Sequence, residues 1–113
     1  MPKIIKSSLI PRLCEFGSDV EVHGVALYPF IFIHPDHYTE DVILHERIHC
    51  EQYKETCCFG YLFIAAYDFI KNFFKYRKLD DSYRNVRFEK EAYANMSNPD
   101  YLKERTRYNW VKL

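Results

Sequence analysis

Between Val42 and Gln52 the chain reads Val-Ile-Leu-His-Glu-Arg-Ile-His-Cys-Glu-Gln, and no other stretch limits the fold so tightly. His-Glu-x-x-His sets His45 and His49 four residues apart. On a helix that spacing stacks two side chains on one face, about 5–6 Å between Cβ atoms. Two imidazoles so placed can reach one tetrahedral metal ion. Glu46 is offset round the helix, so its carboxylate addresses a water on the metal rather than the metal itself. A solvated helix that carries two histidines by chance is the competing reading of the pentapeptide alone. The rest of the chain decides between them.

A length of 113 residues makes one small domain, residues 1–113, with an irregular segment expected over 1–19. Sixteen basic and sixteen acidic residues cancel, which argues against a nucleic-acid partner. The cysteines, Cys14, Cys50, Cys57 and Cys58, form no Cys-x-x-Cys pair. They read as reduced thiols of a cytoplasmic protein, with Cys50 the one to watch for oxidation. No secretory signal is visible before Pro11. The longest apolar run, Phe59 to Phe74, is interrupted by Asp68, Lys71 and Asn72 and falls short of a membrane span. It reads as a buried core helix rather than a membrane-surface segment, because its flanks lack a basic amphipathic face.

The order of elements predicts an α+β fold. A strand near Val20–Val22 and a second near Phe30–Ile33 precede the helices, and Pro29 marks the second, about 28–33, as an edge strand. Thr39 caps a helix reaching about Thr56–Cys58. A second helix, Tyr61 to about Tyr76, is apolar nearly all round and is therefore expected to be central and covered. A polar connection follows over 77–82, then a third helix from Val86 or Phe88 to Met96. Asn98-Pro99 opens a fourth, running to about Tyr108.

A catalytic zinc takes three protein ligands and keeps a fourth position for water. No histidine follows His49, so a carboxylate on a later helix must supply the third; Glu89 and Glu91 are the candidates, with Glu104 more remote. His45-Glu46-x-x-His49-x-x-Gln52 with Phe88-Glu89-x-x-Ala92 resembles the gluzincin metallopeptidases, above all the very small single-domain minigluzincins and their bacterial and phage relatives. The resemblance covers about residues 25–96. It implies a small zincin-like domain, short N-terminal strands followed by about four helices, and a bound Zn2+ ion. It also implies Glu89 as third ligand, with Glu91 the alternative if the register shifts by two, and Ala92 as the small residue that lets helices approach. Tyr93 stands where the family often has an Asp that orients a ligand histidine.

Under this resemblance the chain is a hydrolase of peptide or protein substrates. Glu46 is the general base towards a metal-activated water, and the substrate pairs with the edge strand. Gln52 and Tyr93 are candidates for support of the ligands. His37 and Tyr83, along with His23, His34, Tyr38 and Tyr101, are candidates for stabilising the oxyanion, and the sequence does not choose among them. The alternative is a structural or interaction protein that keeps the fold and a structural zinc, for example a phage virion component. An aromatic-rich chain of this size suits a monomer or one copy in a larger assembly.

Overall fold

The structure, a computed structural model, describes residues 3–7 and 24–113. The expected strand near Val20–Val22, and residues Cys14 and His23, lie outside the described residues. Short β-branched and aromatic runs make three strands: β1 (Lys3–Lys6), β2 (Gly24–Leu27) and β3 (Phe30–Ile33). Their order is β1-β3-β2, with β1 parallel and β2 antiparallel to β3. Two expectations are corrected here. The N-terminal segment is not irregular throughout, because Lys3–Lys6 is a strand. The 28–33 stretch is not an edge, because β1 covers its second side. Pro29 sits in the hairpin turn, outside the ladder, and its carbonyl accepts from the Lys3 amide. The missing N–H therefore costs β3 nothing. With both neighbours in place, Ile31 and Ile33 become fully buried.

Helix α1 (Glu40–Glu55) starts as the sequence predicts, with the Thr39 hydroxyl accepting from the Val42 amide and two acids in the first turn. It lies between two layers. Cys50 and Tyr53 pack on Ala26, Ile31 and Ile33 of the sheet, and the Tyr53 hydroxyl donates to the Ala26 carbonyl at 3.0 Å. Leu44 and Ile48 pack on Ala92 and Tyr101 from later helices. Ala92 is fully buried at that contact, as a close helix approach requires. Cys50 faces the sheet, where burial pushes its thiol up to about 12, so it is an inert core residue.

The second helix departs most from expectation. It runs as α2 (Phe59–Tyr76), beginning after Cys57 and Cys58, which both adopt positive φ. It is not central: Asp68 is its single buried residue among those described. Asp68 takes the Arg87 guanidinium through both oxygens, at 2.9 and 3.1 Å, and also accepts from the Arg87 amide. Arg87 opens the helix after next, whose own cap residue, Val86, has no side-chain acceptor. An acid that interrupts the apolar run thus caps a neighbouring helix across the fold.

Helix α3 (Leu79–Arg84) begins inside the stretch expected to be a polar connection over 77–82, and α4 (Arg87–Asn95) follows. The expected fourth helix is only one turn, α5 (Tyr101–Glu104), before Arg105 becomes extended. Arg105 explains the stop. Its guanidinium is drawn inward to Glu55 at 2.8 and 2.9 Å and to Glu91, and its side chain is 5% exposed. Glu55 also accepts from the Tyr108 amide and from Trp110 Nε1, which fastens the C-terminal turn Asn109–Lys112.

Burial pulls the Glu55 carboxyl upward, but the bonds from Arg105 and from the Tyr108 amide outweigh it and hold it below its ordinary 4.5. A depressed folded-state value stabilises the fold above the unfolded value, and that stability is lost as pH falls through the folded one. Urea midpoints of wild type and Glu55→Gln should therefore differ most near neutral pH and converge as pH drops below about 4.5. A gap unchanged down to acid pH contradicts this role for Glu55.

Candidate metal centre

Helices α1 and α4 bring together His45, His49 and Glu89, which are all buried. One ligand atom from each lies within 4.8 Å of the other two. His45 Nε2 stands 3.1 Å from Glu89 Oε1, and His49 Nε2 stands 2.8 Å from Glu89 Oε2. Although close, His49 Nε2 makes no hydrogen bond of proper geometry and is an orphaned buried atom. Ligand atoms around a tetrahedral zinc at about 2.0–2.1 Å stand roughly 3.3 Å apart. Two nitrogens and a carboxylate at these separations fit such an ion. The electrostatics point the same way. Burial opposes an imidazolium at His49, yet the Glu89 and Glu46 carboxylates overcome it and raise its pKa. The same two histidines hold Glu89 well below the usual carboxylate range despite its burial. The pocket favours positive charge.

Glu91, the alternative ligand, points elsewhere. It is fully buried, and its oxygens accept from Arg105, from the Tyr101 hydroxyl at 2.7 Å and from Gln52 Nε2 at 3.0 Å. Two residues along a helix turn a side chain through about 200°, so only one of the two glutamates can face His45 and His49.

Gln52 supports His49 directly. Its Oε1 lies 2.7 Å from His49 Nδ1, while its Nε2 donates to the Phe88 carbonyl and to Glu91, each at 3.0 Å. Both acceptors demand the amide's NH2 end, so the oxygen must face the imidazole and accept Nδ1–H. The Nε2 lone pair is left to face the ligand cluster. Gln52→Leu should lower the affinity for a metal ion held by this group by about tenfold to a hundredfold, measured by competition with a chromogenic chelator. Unchanged affinity contradicts the supporting role.

Glu46 is buried beside this cluster, with Oε2 making no hydrogen bond. Burial raises its pKa, with the two histidines partly compensating. Its methylenes lie against Gly24, where an added Cβ would come within 3.3 Å of Glu46 Cγ and of the Phe32 carbonyl. The start of β2 therefore lies close beside the Glu46 side chain. Among the described residues nothing pairs with the outer edge of β2.

The tyrosines fall into three positions. Tyr93 packs its ring edge-on against His45, 4.6 Å between centroids, and the Arg84 guanidinium also lies over the Tyr93 ring, 5.2 Å from its centroid. Where the resembled family has a hydrogen-bonding Asp, this chain uses ring packing. Tyr83 is raised well above 10 by burial and then by the Glu89 and Glu46 charges, which places a neutral phenol in the field of both. His37 lies outside the ligand group, in the turn Pro35–His37 with its ring beside that of His34. Tyr61 was not among the sequence candidates. Its hydroxyl stands 3.3 Å from His49 Nδ1, and its ring stacks between Tyr53 and Phe88. The clue was its place one turn into an apolar helix, but only the crossing of α2 over α1 aims it.

No family model matches the chain, and neither a curated protein nor a solved structure matches it. The described residues include no helix long and apolar enough to cross a membrane.

Proposed function

We propose that the chain is a gluzincin-type zinc peptidase in which His45, His49 and Glu89 hold the ion. The observation that carries this reading is the convergence of two helical histidines and one carboxylate within 4.8 Å, with the Glu46 carboxylate alongside and lacking a partner at Oε2. When bound there, zinc polarises the scissile carbonyl and acidifies its water. Glu46 takes the proton of the attacking water and passes it to the leaving amine. Burial, the main cause that raises the Glu46 pKa, makes this carboxylate a better proton acceptor than an exposed one. Tyr83, a phenol kept neutral by burial and by the field of both carboxylates, is the proton donor assigned to the developing oxyanion in this reading. The substrate backbone extends the sheet at the outer edge of β2, the strand that lies close beside Glu46, rather than at the 28–33 strand.

The second reading is a zinc-stapled binding or structural protein of the same fold. Tyr93 favours it, because ring packing on His45 holds the imidazole without the charge that a carboxylate partner supplies. The purified chain loaded with zinc should cleave an unfolded protein such as reduced casein and stop on chelation. If it binds zinc at one equivalent and cleaves nothing, the binding reading stands and the peptidase reading does not. If no metal binds with His45 and His49 intact, both are lost.

A further inference from the structure

The chain reverses sharply between α1 and α2. The Cys58 amide donates back to the Tyr53 carbonyl at 2.8 Å, and Gly60 passes so near Thr56 that an added Cβ would lie 3.2 Å from the threonine Cβ. This close return brings the third residue of α2 back over α1. Phe59, Leu62 and Phe63 stay exposed, whereas Tyr61 turns inward. Its ring lies between two others, 3.9 Å from Tyr53 and 4.4 Å from Phe88 between centroids, and nearly parallel to both. Tyr53 is on the helix that carries His49, and Phe88 immediately precedes Glu89. One side chain thus bears on both helices that bring the ligands together. A phenylalanine would stack as well. The hydroxyl is what the stack does not explain, since a phenol turned into a fold needs a hydrogen-bond partner. Its partner is His49 Nδ1, at 3.3 Å.

We propose that Tyr61 is a positioning residue for His49, acting from α2 through the hydrogen on Nδ1. That hydrogen already has one acceptor, Gln52 Oε1 at 2.7 Å. A protonated nitrogen cannot accept, so the phenol oxygen takes a share of the same hydrogen, as the longer arm of a three-centre bond. The two acceptors divide the work. Gln52, three residues along the same helix, decides which nitrogen carries the proton. Tyr61 approaches from a different helix, with its ring edge-on to the imidazole at 6.1 Å and 75°. Two acceptors from separate elements limit the swing of the imidazole about its Cβ–Cγ bond more than one does, and so fix where Nε2 points. The inference rests on the zinc reading above, in which His49 offers Nε2 to the ion.

The test is zinc affinity, by chelator competition, in the full-length wild type, Tyr61→Phe, Gln52→Leu and the double variant. Tyr61→Phe keeps the stacked ring and should bind zinc about tenfold more weakly, the low end of what losing a ligand's partner costs. Its metal-free form should melt within about 4 °C of wild type. The double variant should lose more than the product of the two single losses, because each acceptor takes the whole hydrogen when the other is removed. A tyrosine that serves only to pack gives neither result, since phenylalanine preserves the stack. Wild-type affinity in Tyr61→Phe overturns the proposal and leaves the zinc site standing, and a double variant at the simple product does the same. A larger fall in the metal-free melting midpoint overturns it too, because the hydroxyl then serves the fold. Wild type that binds no zinc removes the metal centre, and the proposal with it.

Discussion

Glu46→Gln is expected to bind zinc as wild type does and to hydrolyse unfolded protein about 10²–10⁴-fold more slowly. The two halves of that result separate for a structural reason. His45, His49 and Glu89 form the ligand group, and Glu46 stands outside it, so the amide leaves the donors in place. The amide cannot take a proton from water, so the base is removed at nearly constant volume. Stability provides an internal control. A buried carboxylate with an unpartnered oxygen is disfavoured by desolvation, which is the leading cause of the raised Glu46 pKa. The variant should melt no lower than wild type. Loss of zinc together with activity in Glu46→Gln would place Glu46 among the ligands and sink the assignment of base. A wild-type rate matched by the variant would remove Glu46 from the chemistry altogether.

Arg105→Met should be the most damaging single change to the fold, at about 3–5 kcal/mol, because removing one partner of a buried ion pair strands the other. Here it strands two: Glu55 and Glu91 are 3% and 0% exposed at their side chains, and Arg105 is bonded to both. The melting midpoint should fall by more than about 10 °C. Neutralising both acids in the same background, as Glu55→Gln and Glu91→Gln, should recover much of the loss, since the cost lies in unpaired charge rather than missing bulk. A fall worth less than about 1 kcal/mol, or no recovery, means the ion pairs are incidental to the fold.

How much of this was legible beforehand differs from residue to residue. His45, Glu46 and His49 were readable because helical spacing alone determines their relation. Thr39 was readable as a cap for the same local reason. Glu89 and Glu91 were both open, and the choice depends on how α4 is rotated, which is set by contacts with Leu44, Ile48 and Tyr101. The triad of Glu55, Arg105 and Glu91 spans separations of 14 and 50 residues, and nothing local announces it. Its pull on Arg105 is also why Asn98-Pro99 introduces only a single helical turn. Lys3–Lys6 is too short and too charged to read as a strand until its parallel partner β3 is known. Helix α2 misled for the opposite reason. Apolar residues on all sides say that water is disfavoured there, and they do not say which side another surface covers.

Gln52 connects the two ends of the molecule in a way that concerns direction as well as strength. Arg105 neutralises Glu91 and keeps it an acceptor; an acceptor at that place obliges Gln52 to offer it hydrogens. The carboxamide then has only its oxygen left for His49, and the ring's proton is assigned to Nδ1. Each step passes on a polarity, donor to acceptor, without passing on a proton. The face of a histidine in the middle of the chain is thus set by the Phe88 carbonyl together with Glu91, and the arginine that pairs with Glu91 is itself anchored through Glu55 to the Trp110 indole. Trimming the chain before Trp110, far from any ligand in sequence, is where a weakened grip on metal would first be felt.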